Sequence, residues 1–256
     1  MVIFSVLFAE LMLMNAAEER KPIPLPLPYL SGEVLTKTEG KGRKTKMIKH
    51  ICFDLDGTLV DSSLTIFKTT VSALNKLNLP CSIPKDKFVN MIGMHFIDIF
   101  SKLSIVVPDI ELFIKTYKEI YFDFIDDSFL YPEVSEVLHF NYEAGKKISL
   151  LTTKAQDQAE KIIDHFKLRD NFHYIMGRRN GIGYKPSPEP LLRICKDLKV
   201  EPKETLIVGD TELDIMCGKN AGAKTCAVLY GYRSKDQLEK EKPDFIISRL
   251  KELIKI

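Results

Sequence analysis

The chain of 256 residues has no tryptophan, no cysteine pair spaced C-x-x-C and no apolar run of 18 residues. Without such a run no helix is expected to cross a membrane. The five cysteines (Cys52, Cys81, Cys195, Cys217, Cys226) are odd in number and irregularly spaced. They argue against a disulfide framework or a zinc site, and suit reduced thiols in the cytoplasm. The five histidines (His50, His95, His139, His165, His173) are scattered and form no H-E-x-x-H pair. A charge excess is missing too: Lys+Arg is 37 against Asp+Glu 35, and from Met47 onward the tally is 30 against 30. A neutral body without a basic stripe argues against nucleic acid as a main partner. With 45% hydrophobic and 28% charged residues, the composition excludes wholesale disorder and collagen-like repeats.

The first 46 residues read differently from the rest. Val2 to Met14 is a short apolar stretch, but no Lys or Arg precedes it and Glu10 interrupts it, so a signal peptide is disfavoured. Alternating prolines from Pro22 to Pro28 then hold the chain extended, and Gly40 to Lys46 is small and basic, like a linker. Residues 1–46 are expected to be a disordered or linker-like extension, with the fold beginning near Met47 and Met47 itself an alternative start.

From Met47 short apolar runs alternate with segments of helical length. The runs are His50–Phe53, Ile148–Leu151, His173–Met176, Leu206–Val208, Thr225–Leu229 and Phe245–Ile247; helices are expected near 133–144, 155–168, 188–199, 212–221 and 235–241. This rhythm predicts an α/β fold, a Rossmann-like parallel sheet with helices on both faces and ligands at the carboxyl ends of the strands. One stretch breaks it. From about Ser63 to Phe129 only helical pattern is found, with Ile110, Phe113, Ile114, Tyr117, Ile120, Tyr121 and Phe124 on one face. The expected organisation is a core of residues 47–62 and 132–256 with an inserted helical cap, residues 63–131.

The chemistry collects at strand ends. The first strand runs into Asp54-Leu55-Asp56-Gly57-Thr58, which puts two carboxylates on one side of an extended chain and a glycine at its exit. An Asx-rich turn or a calcium loop uses similar residues, but neither explains the apolar strand that leads in. Thr152-Thr153 follows Leu150-Leu151, Lys185-Pro186 follows a glycine-rich loop, and Gly209-Asp210 with Asp214 follows Leu206-Ile207-Val208. A threonine at a strand end is usually a turn residue and a lysine is usually solvated; together these positions put four carboxylates, a hydroxyl and an ammonium on one sheet edge. Such carboxylates repel unless a cation joins them, and hard oxygen donors without a nearby His or thiolate suit Mg²⁺.

In these four motifs, taken in order, residues 47–256 resemble the haloacid-dehalogenase-like hydrolases, and among them the phosphoglycolate-phosphatase-like branch. The resemblance implies a phosphatase that acts on a small phosphate monoester through an aspartyl-phosphate. Asp54 would be the nucleophile, and Asp56 the general acid and then base. Thr152, Thr153 and Lys185 would hold the phosphoryl group. Mg²⁺ would be bound by Asp54, the Asp56 carbonyl and Asp210, with Asp214 close by, and Gly57, Thr58 and Gly209 would support the loops. Dehalogenases of the superfamily lack the second aspartate, so Asp56 favours phosphoryl transfer. His95 lies in a stretch similar to a lid loop that meets substrate, although a lone histidine is more often structural.

The chain also departs from its relatives. Thr153 stands where an asparagine is common, and Gly177-Arg178-Arg179-Asn180 replaces an acidic segment; the two arginines read as solvated surface or as contacts for an anionic substrate tail. The alternatives are a phosphomutase, a pyrophosphatase or nucleotidase, and a non-catalytic binding protein. A phosphonate-cleaving relative would need a lid lysine such as Lys68 or Lys76. Oligomeric state leaves no mark on the sequence.

Overall fold

A computed structural model of the chain describes residues 47–256. The expectations for residues 1–46 lie outside the described residues. Among the described residues eight strands are formed: β1 His50–Phe53, β2 Val60–Asp61, β3 Phe129–Leu130, β4 Lys147–Ala155, β5 Tyr174–Arg178, β6 Thr205–Gly209, β7 Lys224–Val228 and β8 Phe245–Ile247. Six of them pair in the order β5-β4-β1-β6-β7-β8, every pairing parallel. β1 therefore lies in the middle of the sheet, between β4 and β6.

Its residues alternate between two cores, as the pleat requires. Ile51 and Phe53 join the larger one with Ile148, Leu150, Leu206 and Val208. Cys52 joins a second with Leu151, Ile207 and the helix residues Leu191, Ile194 and Cys217. At the amino end of the same strand, fully buried His50 bridges its neighbours: Nδ1 lies 3.0 Å from Thr205 Oγ1 and Nε2 2.8 Å from Ser149 Oγ. Burial first, and the charge of His173 next, lowers its pKa to about 3, so it is neutral.

The helices between strands are α5 Val134–Glu143, α6 Gln156–His165, α7 Glu189–Leu198, α8 Glu212–Ala221 and α9 Lys235–Lys240, each within three residues of its expected bounds. β4 differs more, continuing four residues beyond Leu151 to Ala155 with a register shift. The β-branched Thr152 and Thr153 favour the extended chain there.

Between β2 and β3 the chain is helical: α1 Ser63–Lys76, α2 Lys85–Val89, α3 Phe96–Lys102, α4 Ile110–Ile120 and a 3₁₀ segment Tyr121–Asp127. The aromatic face read through Phe124 is interrupted, since the α-helix ends at Ile120. Asp123, Asp126 and Asp127 follow, and acids at a helix C-terminus oppose its dipole. Phe96 and Phe113 meet edge to face at 5.0 Å, and Phe96 and Tyr117 at 4.8 Å, so these aromatics make a core among the helices. The segment leaves and re-enters through the antiparallel β2–β3 pair, Val60 opposite Leu130 and Asp61 opposite Phe129.

Candidate active site

Asp54 follows β1 directly, and its backbone N–H donates to Val208 O at 2.9 Å, which extends the sheet by one bond. The chain then turns sharply: the N–H groups of Leu59 and Val60 both donate to Leu55 O, at 2.9 and 3.0 Å. Gly57 takes φ +86° in this turn, and a Cβ there would lie 2.3 Å from Asp210 Oδ2. Glycine is needed twice over, for the left-handed backbone and for the approach of the acid. Gly209, at the end of β6, meets the same limit, because its Cβ would fall 2.1 Å from Asp214 Cγ.

Three of the four expected carboxylates come together. Asp54, Asp210 and Asp214 are buried, with carboxylate oxygens within 4.8 Å of one another. Lys185 lies among them, its Nζ donating to Asp54 Oδ1 at 2.7 Å and to Asp214 Oδ1 at 2.6 Å. Asp210 accepts from Thr58 Oγ1 at 3.1 Å and from the Tyr232 N–H at 2.8 Å. Asp214 sits at N3 of α8 and closes a capping box with Thr211, accepting from its N–H and its hydroxyl.

Three buried acids thus crowd around one ammonium, which bonds two of them. Burial raises the Asp54 pKa well above the ordinary carboxylate value, and the charges of Asp214 and Asp210 add to this despite Lys185. Burial and Asp214 push Asp210 up to about 7. For Lys185 burial works the other way, yet Asp214 and Asp54 more than offset it and raise its pKa. All three shifts have one meaning: the cluster is short of positive charge. A hard divalent cation fits that deficit and that donor set.

Asp56 stands apart from this cluster. Its Oδ1 accepts from the Ser62 hydroxyl and its Oδ2 pairs with Lys154 Nζ at 3.3 Å. Ser62 is held in turn, its N–H donating to Tyr232 Oη at 3.0 Å. Lys154 is buried below the Tyr121 ring, 4.5 Å from its centroid. The sequence reading missed Lys154 and Tyr232. Lys154 was within reach, because period 2 along a strand puts it on the same side as Thr152. Tyr232 carries no local signal, since it reaches Asp56 through Ser62, 170 residues away.

The remaining expected residues are placed as follows. Thr152 is buried at 4% exposure, and its Oγ1 accepts from the Lys154 N–H at 3.2 Å. Thr153 donates to Gly93 O at 3.4 Å, across to the helical segment. His95 has no link to the carboxylates; its Nδ1 lies 3.1 Å from Arg178 Nη1, and its ring packs edge to face on Tyr184 at 4.2 Å. Burial first, and the Arg178 charge next, lower its pKa, so it is neutral. Asp56, Thr153, Lys154, His95 and Arg178 line one cavity of about 650 Å³, whose other wall is apolar and includes Ile66, Ile92, Phe96 and Ile114. Lys68 and Lys76 do not line it and pair instead with Asp127 and Glu119.

A family model described as haloacid dehalogenase-like hydrolase matches residues 51–228. The pyrophosphatase PpaX of Bacillus cereus (strain G9842) is 32% identical over 210 residues, covering 82% of this chain and 96% of that protein. The phosphoglycolate phosphatase of Aquifex aeolicus is 35% identical over 215 residues, with coverage of 82% and 96%. Among solved structures, a predicted phosphoglycolate phosphatase from Haemophilus somnus is similar at a TM-score of 0.71 and 27% identity, covering 83% of this chain and 98% of that one.

Proposed function

The chain belongs to the haloacid dehalogenase-like hydrolases, and from that premise we propose that it is a Mg²⁺-dependent phosphatase of small phosphate monoesters. The observation that carries this reading is the buried Asp54 at the tip of β1, bonded to Lys185 and within reach of Asp210 and Asp214. The phosphatase names of the Bacillus and Aquifex relatives support it.

In the first step an Asp54 oxygen attacks phosphorus, the bond to the ester oxygen breaks, and Asp56 gives a proton to the departing alkoxide. In the second, Asp56 takes a proton from water, the oxygen attacks phosphorus, and Asp54 leaves as a carboxylate with release of inorganic phosphate. Ser62 and Lys154 hold the two oxygens of Asp56 in place for both transfers. Lys185 offsets phosphoryl charge as the anionic nucleophile approaches, and the hydroxyl of Thr152 donates to a phosphoryl oxygen. Asp54, Asp210, Asp214 and the Asp56 backbone carbonyl would hold Mg²⁺. When bound, the ion supplies the positive charge that the cluster lacks and that a phosphate dianion requires.

Pyrophosphate is a second substrate reading, favoured by the Bacillus relative; the same steps then expel phosphate instead of an alkoxide. The phosphonate-cleaving alternative loses its lysine, since Lys68 and Lys76 stand outside the cavity. Five free thiols, four of them buried, suit a cytoplasmic setting.

The test is phosphate release from phosphoglycolate, a sugar phosphate, a nucleoside monophosphate, pyrophosphate and an aryl phosphate, each with Mg²⁺ and with EDTA. Metal-dependent release from one or a few compounds is expected. An isomer formed in place of free phosphate would point to a mutase, and silence across the panel would overturn the reading.

A further inference from the structure

The charges lining the cavity do not balance. Lys118, Lys154, Arg178 and Arg179 stand against Asp56 and Glu111. Lys154 is taken by Asp56, and Lys118 lies 3.3 Å from Asp157. The two arginines have no acidic partner among the described residues. Arg179 bonds neutral acceptors, Gln156 Oε1 at 3.0 Å and Ile175 O at 3.2 Å. Arg178, half-buried at the end of β5, bonds His95 Nδ1. A guanidinium only donates, so Nδ1 accepts and the ring proton of neutral His95 sits on Nε2. A histidine acceptor orients Arg178 without cancelling its charge, as a carboxylate would.

A second observation points the same way. Gln158, 5% exposed and lining the same cavity, keeps its side-chain Nε2 without a hydrogen-bond partner, and so does the buried Nε2 of His95. Buried donors without acceptors are uncommon and call for an explanation. Here both residues line, together with Arg178, a cavity much larger than a phosphate group, and His95 bonds the arginine directly.

We propose that Arg178 recognises a second anionic group of the substrate, a carboxylate or a further phosphate, and that His95 is the positioning residue that aims it. The substrate class is then a phosphorylated acid or a bisphosphate rather than a neutral sugar phosphate. His95 comes from the helical segment and Arg178 from the sheet, so selectivity is assembled where the two meet. This inference rests on the phosphatase reading, which puts the reacting phosphoryl group beside Asp54 and Asp56.

Calorimetric binding of non-hydrolysable probes tests it on the full chain with Mg²⁺. One series is phosphonoacetate, 3-phosphonopropionate and 4-phosphonobutyrate; the other is the alkylphosphonates of matching length. Methylenebisphosphonate represents the second phosphate. In the wild type at least one bifunctional probe should bind about tenfold more tightly than its alkyl counterpart. Arg178→Gln should bring the two within about twofold and Arg178→Lys should restore part of the gap. His95→Gln, which keeps an acceptor, should hold the preference that His95→Phe loses. Equal binding of both series by the wild type, or a preference that survives Arg178→Gln, overturns the assignment and leaves the phosphatase reading standing. Failure of every phosphonate to bind counts against the phosphatase reading itself and takes this inference with it.

Discussion

His50 and Asp54 stand at the two ends of one central strand, and both are buried. At the amino end, one neutral imidazole meets two hydroxyls, and both ring nitrogens are used. At the carboxyl end, three carboxylates crowd around one lysine that bonds two of them, and Asp54 and Asp210 are pushed toward the protonated form. The first arrangement is complete without any ligand and ties β1 to β4 and β6. The second is costly until another charge arrives. Buried polarity by itself therefore does not single out the proposed reactive site; buried polarity with an unmatched charge does.

The largest expected effect breaks the reactive end. Asp54→Asn should lower phosphate release by at least about a thousandfold, while its melting temperature stays the same or rises, because one of three crowded negative charges is gone. Turnover and thermal melting of the same preparation check both halves. The complementary variant is His50→Ala, expected to cost about 2–4 kcal/mol of stability through a cavity and unpaired Ser149 and Thr205, with turnover per folded molecule little changed. Denaturant unfolding measures the loss, and His50→Gln serves if the alanine variant does not fold.

A smaller effect sets the two ends against each other through pH. The folded His50 refuses a proton down to about pH 3, whereas the unfolded chain accepts it near 6.5. Its contribution is present above pH 6.5 and is lost as pH falls toward 3, by up to about 1.4 kcal/mol per unit. Asp210 acts in the opposite sense in EDTA. Folded, it keeps its proton to about pH 7, whereas its ordinary value is 3.8, so its contribution is present at low pH and lost as pH rises through that window. Between pH 4 and 6.5 in EDTA, the melting temperature should change with pH in a more positive direction in Asp210→Asn than in the wild type, and in a more negative direction in His50→Gln. Identical curves in both variants would erase the contrast between the ends.

What the sequence made legible follows the range of the interactions. Asp54, Asp56 and Gly57 could be read because an apolar strand, a sharp turn and two acids lie within a few residues. Lys185, Asp210 and Asp214 could be read because each follows its own strand or loop, and a parallel sheet brings such ends to one edge. The separation of Asp56 from the other acids was not legible, since it depends on Ser62, Lys154 and Tyr232, which only folding brings together. His95 was noticed as a lid residue, but its partner Arg178 lies 83 residues away, and no periodicity links a loop to the end of a distant strand. The halt of α4 at Ile120 was missed because hydrophobic spacing continues past it, while the acids that follow break the α-helix.

The β2–β3 ribbon, two residues on each side, has a consequence for descent and for engineering. A segment whose two ends are neighbours can be lengthened, replaced or exchanged with little strain on the scaffold that receives it. The acids assigned to the proposed reaction and Lys185 lie outside that segment, while Ser62, His95 and much of the apolar lining lie within it. Transplanting the piece between Asp61 and Phe129 into a relative would carry half of the proposed binding preference and, of the proposed bond-breaking apparatus, only Ser62, which holds Asp56. The other half, Arg178, would have to be transferred by a separate substitution.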